Sequence, residues 1–120
     1  MKCSLKTKIS TAKYSETRAF YETVFGMAVV EEWSEPGDVG AILAFPGGRQ
    51  EAFLEIYDID DQKDFDGLSL QFRVDSIADF MAVLPENVGF EGPSDRPWGS
   101  TYLYMRDPNN IRVIVYEGGF

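Results

Sequence analysis

Across 120 residues the chain has no histidine and a single cysteine, Cys3. Without histidine it lacks the commonest metal-ligating side chain and the usual proton shuttle near neutral pH, and a cysteine–histidine nucleophile is excluded. One cysteine cannot close an internal disulfide, which suits a reducing, cytoplasmic interior. No apolar run approaches the ~20 residues that cross a bilayer. The opening stretch MKCSLKTKIS also lacks the apolar block of a signal peptide, so neither a membrane partner nor export is expected. Basic residues are scarce: 11 Lys and Arg face 20 Asp and Glu, for a net charge of −9 and a pI near 4.4. Phosphate contacts require clustered cations, so nucleic acid is not an expected partner. An acidic surface concentrates cationic ligands, although the same charge also serves solubility.

What is present reads as one α+β domain, 1–120, large enough for a single core. Hydrophobic residues at 44% and charged residues at 26% lie in the ordinary globular range. Charge is unevenly spread. Four lysines (Lys2, Lys6, Lys8, Lys13) precede the first acid, whereas EAFLEIYDIDDQKDFD, 51–66, holds seven acids and one lysine. That block reads as a strand running into a solvated linker, about 58–66, between a first module of about 1–60 and a second of about 67–120.

Each module shows the same order of patterns. CSLKTKIST alternates as a half-buried strand, with Leu5, Thr7 and Ile9 on one face and Lys6, Lys8 and Ser10 on the other. YSETRAFYETVFG predicts a helix with Ser15 as N-cap and Gly26 as its stop. MAVVEEW, VGAILAF and EAFLEIY predict three strands separated by Pro-Gly turns. The pattern then restarts with the strand LSLQFRV and the helix DSIADFMAVLP. There Ser76 and Asp79 form a capping pair, Ile77, Phe80, Met81 and Leu84 share a face, and Pro85 ends the helix. A short strand near NVGFEG, then STYLYMR and IRVIVYE, complete it, with DPNN turning between the last two and Asn110 left-handed. Strand–helix–three strands thus occurs twice. Two such βαβββ modules are expected to build a curved mixed sheet with a concave cleft and the helices outside.

The segments TRAFYETVFGMAV and PWGSTYLYMRDPNNIRVIVYE resemble the helix signature and the closing W-G…D-P-x-G-N segment of the vicinal oxygen chelate superfamily (glyoxalase I, extradiol dioxygenases, fosfomycin- and bleomycin-resistance proteins). Asn110 stands where the family usually has glycine. The resemblance implies this fold across nearly the whole chain and, for catalytic members, a divalent metal held by strand residues. Carried over from those motifs, the ligand positions fall on Lys6, Glu55, near Ser69 and on Ile114. Lys6 is a cation, Ser69 a poor ligand and Ile114 none. Glu55 alone, even with Gln71 beside Ser69, falls short of the three or more ligands of typical sites. No metal or other cofactor is therefore expected.

A metal-free cleft must act through other groups. Alternation places Lys6, Phe53, Glu55, Tyr57, Ser69, Gln71, Ile114 and Tyr116 along it, with Trp33, Trp98, Tyr102 and Tyr104 as aromatic walls. Flat rings beside isolated polar groups suit a planar ligand, and the Glu55 anion favours a cationic guest. Core or dimer contacts would account for the same rings equally simply. Arg73 and Arg112 are candidate carboxylate clamps, although a surface role is commoner. Lys6 either acts as a base with Glu55 or pairs with it. The resemblance is nearest in character to the metal-free bleomycin-resistance branch, which implies a non-catalytic homodimer sequestering a cationic aromatic molecule. The alternative is a glyoxalase-like enzyme using Glu55 and Lys6 for metal-independent acid–base chemistry.

Overall fold

The computed structural model describes residues 1–49 and 51–120. The chain divides into two compact units, Met1–Asp64 and Phe65–Phe120, the division falling inside the acidic stretch. The first unit runs β1 (Leu5–Thr11), α1 (Tyr14–Phe25), β2 (Ala28–Glu35), β3 (Asp38–Ala44) and β4 (Ala52–Asp58). The second runs β5 (Ser69–Arg73), α2 (Ile77–Ala82), β6 (Glu91–Asp95), β7 (Ser100–Arg106) and β8 (Arg112–Gly118). Each forms a four-stranded sheet of the same wiring, β1-β4-β3-β2 and β5-β8-β7-β6. The first strand pairs in parallel with the last, and the other neighbours are antiparallel. This is the α+β arrangement of two βαβββ modules that the repeated patterning predicts. Among the described residues no helix is long and apolar enough to cross a membrane.

The helix in each unit covers one sheet face because period two sends alternate residues there. In the first unit Ile9, Ala41, Leu43 and Ile56 are fully buried together with Tyr21 of α1. Their strand positions coincide in register, Ile9 opposite Ile56 and Ala41 opposite Ile56 on the other side. In the second unit Leu103, Val113 and Val115 are fully buried and Ile77 of α2 is nearly so. The polar residues between these positions must face the other way. That leaves one face of each sheet to carry the candidate site.

Two local expectations need correction. The first helix begins at Tyr14 with Lys13, not Ser15, at its N-cap. Here the Thr11 hydroxyl accepts the Lys13 N–H at 2.8 Å and turns the chain into the helix early, so Ser15 already lies within it. The second helix is a short one, ending at Ala82. Ser76 does accept the Asp79 N–H at 3.1 Å, but only Ile77 of the predicted apolar face is buried, with Phe80, Met81 and Leu84 half-exposed. Strand β6, expected near NVGFEG, begins at the end of that stretch and runs over Glu91–Asp95. It is an edge strand, fully exposed and interrupted by Pro93, so no alternation marks it.

The turn between β7 and β8 fixes their register. The buried Asp107 carboxylate accepts the backbone N–H groups of Asn109 at 2.8 Å and Ile111 at 2.9 Å, and the Asn109 side-chain amide at 3.3 Å. Asn110 sits at φ 63°, the left-handed position where the superfamily's glycine is expected, and asparagine tolerates it. With the turn set, Tyr102 stands opposite Tyr116, Tyr104 opposite Ile114, and Arg106 opposite Arg112.

Candidate functional site

On the helix-free face of the first unit, β1 and β4 bring Lys6 opposite Phe53, Lys8 opposite Glu55 and Ser10 opposite Tyr57. Glu55 is not a free anion. One carboxylate oxygen lies 3.1 Å from Lys6 Nζ and the other 3.6 Å from Lys8 Nζ. The Glu55 side chain is 9% exposed and the two lysine side chains about half exposed, so the lysine stems lie along the sheet with their heads at the rim. Two ammoniums on one carboxylate leave a local charge of +1. Glu55 is therefore offset by two lysines rather than standing alone on this face. Lys8 also lies 4.3 Å above the Tyr57 ring centroid.

Trp33 lies across the same sheet over Gly40, its register partner, where a Cβ would run into the indole at 2.3 Å. Its Nε1–H donates to Asp38 at 3.0 Å. A hydrogen bond from the Tyr57 hydroxyl to the same carboxylate, with burial and neighbouring charge adding to it, raises the phenol above its ordinary range. Asp38 thus ties Trp33 down and bears on Tyr57 electrostatically, and sequence reasoning missed it because it stands at the very start of β3. Trp33, Phe53, Tyr57, Glu55 and Lys6 are all brought to one sheet, with Trp33 pinned to Asp38 and Glu55 paired with Lys6 and Lys8.

The second unit differs. Ser69, Gln71 and Arg73 of β5 stand opposite Arg112, Ile114 and Tyr116 of β8, and Gln71 donates weakly to Ser69 at 3.5 Å. Ile114 is buried and apolar. Along β7 and β8 the rings form a chain: Trp98 to Tyr102 at 5.6 Å between centroids, Tyr102 to Tyr104 at 5.9 Å, Tyr102 to Tyr116 at 5.7 Å, and Tyr116 to Phe120 at 6.4 Å. Three guanidiniums lie over this array: Arg96 at 5.0 Å from Trp98, Arg112 at 5.1 Å from Tyr104 and Arg73 at 5.5 Å from Phe120. Arg96 Nε is buried without a hydrogen-bond partner. Tyr104, Arg106 and Arg112 also line a cavity of about 540 Å³ with Phe90 and Glu91.

Sequence reasoning found Trp98, Tyr102, Tyr104 and Tyr116 but not Phe120, Arg96 or Phe90. Phe120 continues the period-two row Tyr116–Gly118–Phe120 and was legible in principle. Arg96 reaches Trp98 across a turn, which no periodicity reveals. The positions that hold a metal in the superfamily's enzymes do not fit one here. Among the described residues no group of three or more His, Cys, Asp or Glu is suitably placed. The carried-over positions supply an ammonium on its own carboxylate, a hydroxyl and an isoleucine.

Two units of the same βαβββ wiring define a class of scaffold, and comparison with known proteins places the chain in it. The Glyoxalase/Bleomycin resistance protein/Dioxygenase superfamily profile matches residues 5–115, and the chain belongs to that superfamily. Solved structures of similar fold include TnmS3, an antibiotic-binding protein from Streptomyces sp. CB03234, with TM-score 0.79 and 18% identity over 99% of this chain and 98% of that one. Lactoylglutathione lyase from Agrobacterium tumefaciens gives TM-score 0.67 and 22% identity over 98% and 95% of the two chains. The fosfomycin resistance protein FosX from Listeria monocytogenes gives 0.75 and 14% over 97% and 90%. At these identities the likeness is one of fold. Among curated proteins no match is found.

Proposed function

We propose that the protein is a metal-independent binding protein that sequesters a small planar aromatic molecule on the ring-bearing face of its second unit. The carrying observation is the unbroken chain of five rings, Trp98, Tyr102, Tyr104, Tyr116 and Phe120, on one sheet face. Offset and edge-on ring contacts of this kind offer a large apolar area with fixed geometry, and each contributes about 0.5–1.5 kcal/mol beyond burial. Trp98 and Phe120 are 49% and 87% exposed, so the array presents open ring surface. The antibiotic-binding TnmS3 has the same fold and supports the reading as a precedent. The homodimer implied by the resemblance belongs to the same reading, and a sedimenting mass of one chain would remove it.

A panel of two- and three-ring aromatics titrated against the protein's tryptophan fluorescence is expected to give saturable quenching at one ligand per chain. An absence of quenching across the panel sinks the reading. The second reading, an enzyme, rests on the 3.1 Å contact of Lys6 with Glu55. Turnover abolished in Glu55→Gln with binding retained would favour it. The second contact of Glu55, with Lys8, supports instead a role as an ion-pair bridge between β1 and β4.

A further inference from the structure

Resting on the ligand-binding reading above, we infer that the ligand is an aromatic acid whose anionic substituent is received by Arg112 and Arg106 in the cavity beside Tyr104. The charge pattern points there. In a chain with 20 acids and 11 bases, the ion pairs identified among the described residues are confined to the first unit: Lys6 and Lys8 share Glu55, and Arg18 takes both Glu22 and Glu32. Arg73, Arg96, Arg106 and Arg112 make no ion pair among the described residues, and three of them rest on aromatic rings instead.

Arg106 and Arg112 are also direct register partners across β7 and β8. Like charges directly opposite on a sheet repel, and an anion between them converts that cost into attraction. Arg106 uses one Nη1 contact, to the Asn110 carbonyl at 3.1 Å, and its remaining N–H groups are uncommitted. Arg112 lies over the Tyr104 ring, and a guanidinium resting on a ring keeps its N–H groups for a carboxylate. The cavity they line, about 540 Å³, is of the size that small-molecule sites occupy. Phe90 and Tyr104 supply its aromatic walls, and Glu91 is the single acid against two guanidiniums. The net −9 of the whole chain pointed to cationic guests, but the cavity itself is locally positive.

The test uses three probes of one shape, 2-naphthoate, 2-naphthylmethanol and 2-naphthylmethylammonium, titrated calorimetrically into the intact protein at low and at physiological salt. Naphthoate is expected to bind at least tenfold more tightly than the alcohol, with the cation weakest, and the preference is expected to shrink as salt rises. In Arg112→Gln the naphthoate-to-alcohol ratio is expected to fall severalfold, with Arg106 keeping part of the preference, and in Arg112→Lys to recover only in part, because lysine keeps the charge without the fork. Arg112 is an exposed residue at a strand start, so both variants retain the fold. Equal affinity for all three probes, or preference for the ammonium, overturns the charge inference while leaving the aromatic reading intact. Failure of all three to bind sinks the aromatic reading and the inference with it.

Discussion

Tyr102→Ala is expected to weaken binding of a planar aromatic ligand by about 100-fold, the scale at which centrally placed aromatic residues dominate an interface. Tyr102 is the junction of the ring array, touching Trp98, Tyr104 and Tyr116 at centroid separations of 5.6, 5.9 and 5.7 Å. Its truncation removes a ring and also the support of three others. Trp98 would lose its edge-on partner, and Tyr116 and Tyr104 would no longer be held at fixed tilts. Tyr102→Phe keeps the ring and is expected to retain most of the affinity, which separates apolar stacking from hydrogen bonding by the hydroxyl. Calorimetric titration of both variants checks the pair. A loss of less than threefold in Tyr102→Ala would place the ligand elsewhere.

Asp107→Ala is expected to destabilise the fold by about 3 kcal/mol, since buried donors left without partners cost about 1–3 kcal/mol each. The Asp107 carboxylate receives the Asn109 and Ile111 N–H groups, and all three residues are buried. Alanine would leave both donors facing protein rather than water. Asp107→Asn keeps an acceptor oxygen and is expected to lose about half as much, since a neutral acceptor makes weaker hydrogen bonds than a carboxylate. Urea denaturation midpoints measure both, and a loss below about 1 kcal/mol would show that the turn is held by other contacts. The turn also sets which side chains face the site. A slip of one residue between β7 and β8 would put Tyr102 and Tyr104 on the face opposite to Tyr116.

The fold was legible where a segment obeys one period for its whole length. STYLYMR is β7 residue for residue, and Gly26 closes α1 in the left-handed conformation as its place in the pattern predicts. Legibility failed where a local hydrogen bond or an edge position decided the outcome, as with Thr11 ahead of α1 and Pro93 in β6. In the site, period two correctly grouped Tyr102 with Tyr104 and Lys6 with Lys8. The proximity of Lys6 to Glu55, common to the pairing and the acid–base alternatives, was legible from alternation and is seen at 3.1 Å. The arginine array was not readable as such. Arg73 lies on β5, Arg96 in a turn, and Arg112 on β8. Only the order β5-β8-β7-β6 and the return of Phe120 set them over one row of rings. Whole-chain charge does not report the local balance: acids outnumber bases in the chain, yet Arg73, Arg96 and Arg112 all lie over rings of the second unit.

The most direct measurement uses the chain's two tryptophans as separate reporters, since Trp33 lies in the first unit and Trp98 on the ring array of the second. Trp33→Phe leaves Trp98 as the sole indole, and 2-naphthoate is expected to quench it saturably at one equivalent per chain. Trp98→Phe leaves Trp33, pinned to Asp38, and the same titration is expected to change its emission far less. Quenching of Trp33 with Trp98 unaffected would contradict binding on the second unit's ring face.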